Sequence, residues 1–149
     1  PQIQDQGLGL LVWSPLAGGF LSGKFERDNS PEGTRRATFD FPPIDKEKGF
    51  DIVDVMRPIA AAHDVSVAQI ALAWLLHNDA VTSVIIGARR MDQLEDNLGS
   101  VEVTLSDEEV KQLDDVSKLP LGYPAWMGSL GDDRKPGEAR NIADLTKDN

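Results

Sequence analysis

The sequence has no cysteine and only two histidines. The first absence excludes disulfides, thiolate zinc sites and cysteine nucleophiles. The second speaks against a histidine-rich metal site. Basic residues are also scarce: 15 Lys and Arg stand against 25 Asp and Glu, a formal net charge of -10. A chain of that sign is poorly matched to nucleic acid or to an anionic membrane surface. No stretch reaches the roughly 18 apolar residues of a membrane-spanning helix. Residues 1–7, PQIQDQG, have neither the basic nor the apolar region of a secretory leader. The expected location is therefore cytoplasmic. Because the chain opens on Pro1 rather than Met, residues upstream are expected to be missing.

What is present falls into two strand-like runs joined by helical pattern. Leu8 to Trp13 is compactly apolar and stops at Ser14-Pro15. Consecutive apolar positions predict a strand buried on both faces, as in a parallel sheet, and a proline cannot continue it. Gly18, Gly19 and Gly23 follow, where the backbone can approach a ligand closely. Residues 24–49 read as a long loop, which in a compact domain points to function or disorder. Arg35 and Arg36 within it are either a solvated basic pair or a lid contact to an anionic ligand.

Ile52, Val55, Met56 and Ile59 mark one helix face, with Pro58 expected in the first turn or at a kink. Ser66 and Gln69 have the spacing of a capping box before a nearly all-apolar helix over about 66–77. His63 and His77 sit near helix ends, where histidine is usually a cap or a dipole partner. Val84-Ile85-Ile86 reads as a second buried parallel strand, ended by Gly87. Met91, Leu94 and Leu98 then mark a helix over about 91–99. A strand, a glycine turn and a helix N-terminus carrying Arg89 and Arg90 form a junction suited to an anion. Ser106 with Glu109 is a second capping box, and Val110, Leu113 and Val116 mark its helix. From Leu119 the sequence is irregular. Tyr123, Trp126 and Met127 there either pack loosely on the body or line a binding mouth.

Two segments in order carry a resemblance. VWSPLAGGFLSGK at residues 12–24 and ALAWLLHNDAVTSVIIGARRMDQLEDNL at residues 71–98 resemble the C-terminal part of the aldo-keto reductases. The likeness spans about residues 5–127 and is strongest to the bacterial branch related to potassium-channel beta subunits. It implies a helix-rich α/β fold: the seventh and eighth strands of a (β/α)8 TIM barrel, their helices, and the family's extra C-terminal helix at 106–118. A complete barrel needs about 200–250 residues, more than the chain has. On this reading residues 1–119 are the C-terminal part of the barrel and 120–149 an irregular tail.

The resemblance also implies a cofactor, NADP(H). Ser14, Pro15, Leu16, Gly18 and Lys24 would flank its pyrophosphate. Gly87, Ala88 and Arg89 would hold the 2′-phosphate end, and Gln93 and Asn97 would face the adenosine. Family catalysis uses an Asp, a Tyr, a Lys and a His from the first half of the barrel. The one tyrosine here is Tyr123, and no catalytic residue carries over. The implied function is reduction of a small aldehyde or ketone in an intact protein, this chain alone being inactive. The implied partner is the missing N-terminal half of the barrel or another copy. Two other readings stand beside it: a non-catalytic nucleotide-sensing subunit of the same fold, and a doubly wound nucleotide-binding domain. The last lacks its G-x-G-x-x-G, since Gly7-Leu8-Gly9 precedes a strand rather than following one.

Overall fold

The computed structural model describes residues 2–29, 33, 34, 36, 39, 41–120 and 122. The chain divides into Pro1–Ser117 and Lys118–Asn149, and the architecture below is that of the first unit. A short helix α1 (Gln2–Asp5) leads into strand β1 (Leu11–Trp13). A 3₁₀ segment follows at Ala17–Ser22. Two helices, α2 (Lys46–His63) and α3 (Val67–His77), carry the chain to strand β2 (Ser83–Ile85). Helix α4 (Met91–Gly99), a 3₁₀ turn (Ser100–Glu102) and helix α5 (Asp107–Ser117) complete the unit.

β1 and β2 are parallel, with Leu11 opposite Ser83, Val12 opposite Val84 and Trp13 opposite Ile85. Leu10 extends the pairing: its carbonyl accepts from the Thr82 amide at 2.9 Å, and its amide donates to Thr82 Oγ1 at 3.0 Å. The expectation of strands buried on both faces is not met. Side chains alternate along a strand. Val12 and Val84 are half-buried, whereas Leu11, Trp13 and Ile85 remain 60%, 59% and 49% exposed. Within this unit only one face of the pair is covered.

The helices pack as sequence periodicity predicts. Val53, Met56, Ile59 and Ala60 of α2 meet Ile70, Ala71 and Ala73 of α3 and Leu113 of α5 in one buried cluster. α2 begins at Lys46, inside the stretch read as a loop, because Asp45 caps it by accepting from the Lys48 amide at 3.2 Å. Pro58 lies in the interior of α2 rather than in its first turn. Ser66 caps α3, accepting from the Gln69 amide at 3.1 Å. The Gln69 side chain does not close the expected box, since it reaches Asp96 on α4 instead. At α5 the box closes in both directions, Ser106 N donating to Glu109 and Glu109 N to Ser106 Oγ. His63 and His77 are the last residues of α2 and α3, and His63 pairs with Glu109 at 2.8 Å. Among the described residues, no single helix is long and apolar enough to cross a membrane.

The described part of the 24–49 segment is fastened at three points. Phe25 is buried against Phe20, ring centroids 5.4 Å apart. Arg27 forms ion pairs with Glu47, Asp51 and Asp54 of α2. Arg36 is neither solvated nor turned toward solvent as a lid contact: it is 6% exposed and donates to the carbonyls of Ala17 at 3.1 Å and Pro42 at 2.7 Å. Arg35 lies outside the described residues.

Candidate functional site

An open cleft of about 820 Å³ lies at the C-terminal ends of the two strands. Parallel α/β sheets bind ligands at that edge, because loops and helix N-termini converge there. One wall follows β1. It carries Ser14, Pro15, Leu16, Gly18 and Lys24. The other wall follows β2 and runs into α4, with Gly87, Ala88, Arg89, Gln93 and Asn97. The fold thus brings all ten candidate site residues to one cleft, although the two walls are more than 60 positions apart in sequence.

The first wall holds an unusual backbone. Ser14 and Ala17 have φ of 56° and 49°, and Gly18 and Gly19 have 67° and 91°. Non-glycine residues in the left-handed region cost about 1–3 kcal/mol each, and such strain concentrates at ligand sites. Gly18 and Gly19 adopt these angles without that penalty. The bends turn the chain directly after β1, where the Ala17 amide donates to the Ser14 carbonyl at 2.9 Å and the Gly19 amide to the Leu16 carbonyl at 2.8 Å. On the opposite wall, a Cβ built on Gly87 would meet nothing within 4 Å, so its space belongs to the cleft.

Electrostatics separate the two arginines of the β2 junction. Arg90 is committed to Asp92 through two hydrogen bonds and holds that carboxyl below its usual range. Arg89 makes no side-chain hydrogen bond or ion pair among the described residues. Lys24 likewise has no hydrogen-bond or ion-pair partner among them, though its ammonium lies 5.7 Å from the Phe25 ring centroid. Every other described lysine and arginine is engaged with a protein group. In a chain of net charge -10, the two cations that are uncommitted among the described residues line the same cleft.

Gln93 and Asn97 stand on the cleft face of α4, as their i, i+4 spacing requires. The Gln93 side-chain oxygen accepts from the Arg89 amide at 3.1 Å, bracing the turn that presents the guanidinium. Asn97 is 6% exposed, yet its side-chain amide has no hydrogen-bond partner among the described residues. Its polar atoms are therefore not sealed in the interior but reach the cleft that Asn97 lines, where a ligand can meet them. The N-cap residue of α4, Arg90, makes no side-chain capping bond to the backbone amides of the first turn. No group of carboxylates and histidines among the described residues could hold a metal ion.

Sequence reasoning missed part of the lining. Trp13 and Ile85, the last strand residues, form part of the floor, and Gly19, Ser22 and Thr34 extend the first wall. Asp96 lines the second, and its place three residues beyond Gln93 could have found it. The tail residues Tyr123, Trp126 and Met127 lie outside the described residues.

Residues 1–118 match the Aldo/keto reductase family. An uncharacterized oxidoreductase of Bacillus subtilis, YrpG, is 36% identical over 129 residues, covering 82% of this chain and 36% of that protein. A probable voltage-gated potassium channel subunit beta of Oryza sativa is 36% identical over 122 residues, 78% of this chain and 37% of that protein. An L-glyceraldehyde 3-phosphate reductase of Escherichia coli O157:H7 is 34% identical over 119 residues, 75% and 34% respectively. The chain thus spans about a third of the length of these relatives. The match over nearly the whole described unit makes this chain a member of the aldo/keto reductase family of oxidoreductases.

Proposed function

We propose that this chain is the C-terminal part of a (β/α)8 barrel and supplies the NADP(H)-binding side of a cytoplasmic aldehyde or ketone reductase. The observation that carries the reading is that Arg89 and Lys24, the cations without an ion-pair or hydrogen-bond partner among the described residues, face one cleft in an acidic chain. Nicotinamide adenine dinucleotide phosphate is an extended polyanion, and its pyrophosphate and 2′-phosphate suit two separated cations. Arg89 would take the 2′-phosphate with its planar fork of donors. Ser14, Pro15, Leu16, Gly18 and Lys24 would flank the pyrophosphate, with Gly87 and Ala88 leaving room beside it. Gln93 and Asn97 would meet the adenosine, where the Asn97 amide gains the partner it lacks among the described residues.

Bound NADPH would supply the hydride for carbonyl reduction. This chain's residues bind and orient; they donate no proton to the substrate. The proton donor and the groups that tune it would come from the remainder of the barrel. A partner of that kind, or another copy of this chain, would cover Leu11, Trp13 and Ile85, which are exposed on the open face of the strand pair. Exposed apolar groups beside an unpaired strand edge favour association. The kinship with a potassium-channel beta subunit keeps a second reading, a nucleotide-binding subunit without turnover.

The test is a titration of the chain with NADPH and NADH, followed by nicotinamide fluorescence. The proposal expects saturable binding with clear preference for NADPH. Absence of binding, or equal affinity for the two, would remove it. Carbonyl turnover by the chain alone would remove the assignment of chemistry to the rest of the barrel.

A further inference from the structure

Asp96, on the cleft face of α4, receives a hydrogen bond on each carboxylate oxygen from α3. Ser66 Oγ donates to Oδ2 at 2.8 Å, and Gln69 Nε2 donates to Oδ1 at 3.0 Å. The same Ser66 hydroxyl accepts from the Gln69 amide, so the cap of α3 and the grip on α4 are one network. Gln69 was free to close its own capping box; the structure spends it across the helix pair.

A second observation is steric. A Cβ placed on Gly99, the last residue of α4, would stand 2.8 Å from Gln69 Nε2. Gly99 has ordinary helical angles, φ -59° and ψ -18°. Its lack of a side chain therefore answers no backbone need, and it clears the path of the Gln69 amide to Asp96. Glycine is a poorer helix former than alanine, so its presence here runs against local propensity.

We propose that Ser66 and Gln69 are positioning residues for the nucleotide site, acting through Asp96 to hold the α4 face that bears Gln93 and Asn97 against the cleft. Satisfying both oxygens of Asp96 also keeps a carboxylate at the cleft wall directed at α3 rather than at an incoming polyanion. The inference rests on the NADP(H) reading of the cleft.

The experiment measures NADPH affinity by fluorescence titration, and α4 amide hydrogen exchange without nucleotide, in the full chain and its variants. Gln69→Ala should weaken NADPH by about 3- to 10-fold, less than the loss of a direct hydrogen bond to a charged group because it acts through Asp96, and should speed exchange across residues 91–99. Gly99→Ala should keep or raise thermal stability through helix propensity while weakening NADPH to a similar extent. The double variant Gln69→Glu with Asp96→Asn, which exchanges donor and acceptor, should recover part of the affinity lost in Gln69→Ala. Ser106→Ala, a cap loss on α5 away from the cleft, should lower stability and leave affinity unchanged. A merely structural role would make affinity follow stability across these variants. Full NADPH affinity in Gln69→Ala and Gly99→Ala, with unchanged exchange in α4, would overturn the inference and leave the cofactor reading intact. Failure of the unaltered chain to bind NADPH would overturn both.

Discussion

The helical side of the molecule and the cleft side are built by opposite rules. On the helical side, α2, α3 and α5 are each capped by their own residues, Asp45, Ser66 and Ser106. Their apolar faces close over Val53, Met56, Ile70 and Leu113, and their charges are paired or solvated. On the cleft side, backbone strain gathers at Ser14 and Ala17, the N-cap of α4 makes no side-chain capping bond, and Arg89 and Lys24 stand uncommitted among the described residues. One side has satisfied its chemistry internally. The other has left its chemistry open at a single place, which is what a binding site requires.

The contrast can be broken most forcefully on the helical side. Leu72, fully buried in α3, should cost about 2–5 kcal/mol as Leu72→Ala, because the cavity adds to the lost transfer energy. Urea denaturation gives the value, and a change below about 0.5 kcal/mol would mean the core is loosely packed. A smaller effect is expected from Glu109→Gln, about 1 kcal/mol near neutral pH. The Ser106 backbone amide, then the Ser106 hydroxyl and His63, hold the Glu109 carboxyl below its ordinary value of 4.5. A lowered folded-state pKa gives stability that is complete above the unfolded value and lost as pH falls through the folded one. The gap between wild type and Glu109→Gln should therefore narrow once pH drops below 4.5. A gap that widens toward acid would contradict the assignment. The smallest effect belongs to Arg90→Ala. Its partner Asp92 is a solvent-exposed neighbour, and such pairs contribute about 0–1 kcal/mol. Stability should barely move.

Much of this organisation is legible in the residues themselves. Helix α4 falls on the stretch marked by Met91, Leu94 and Leu98, and Ser66 begins α3 as its hydroxyl type and position dictate. Both are local signals. The features that escaped depend on distant partners. Gln69 carries the capping-box spacing, yet Asp96 on another helix offers its amide a charged acceptor. Arg36 looks like a solvated charge in sequence, but carbonyls of Ala17 and Pro42 surround it in the fold. Leu11 and Ile85 belong to runs apolar enough for burial on both faces, and sequence periodicity says nothing of how many layers a given unit supplies. Arg89 and Arg90 are neighbours of one type; only geometry tells which is already paired.

That last distinction supports the most direct test of the cofactor reading. Arg89→Ala and Arg90→Ala should be compared for NADPH and NADH affinity in the same assay. The account predicts that Arg89→Ala weakens NADPH by about 10- to 150-fold, the loss of a charge-assisted bond to phosphate, and NADH far less. Arg90→Ala should leave both nearly unchanged. Equal losses of the two cofactors in Arg89→Ala, or a larger NADPH loss in Arg90→Ala, would contradict the placement of the 2′-phosphate at Arg89.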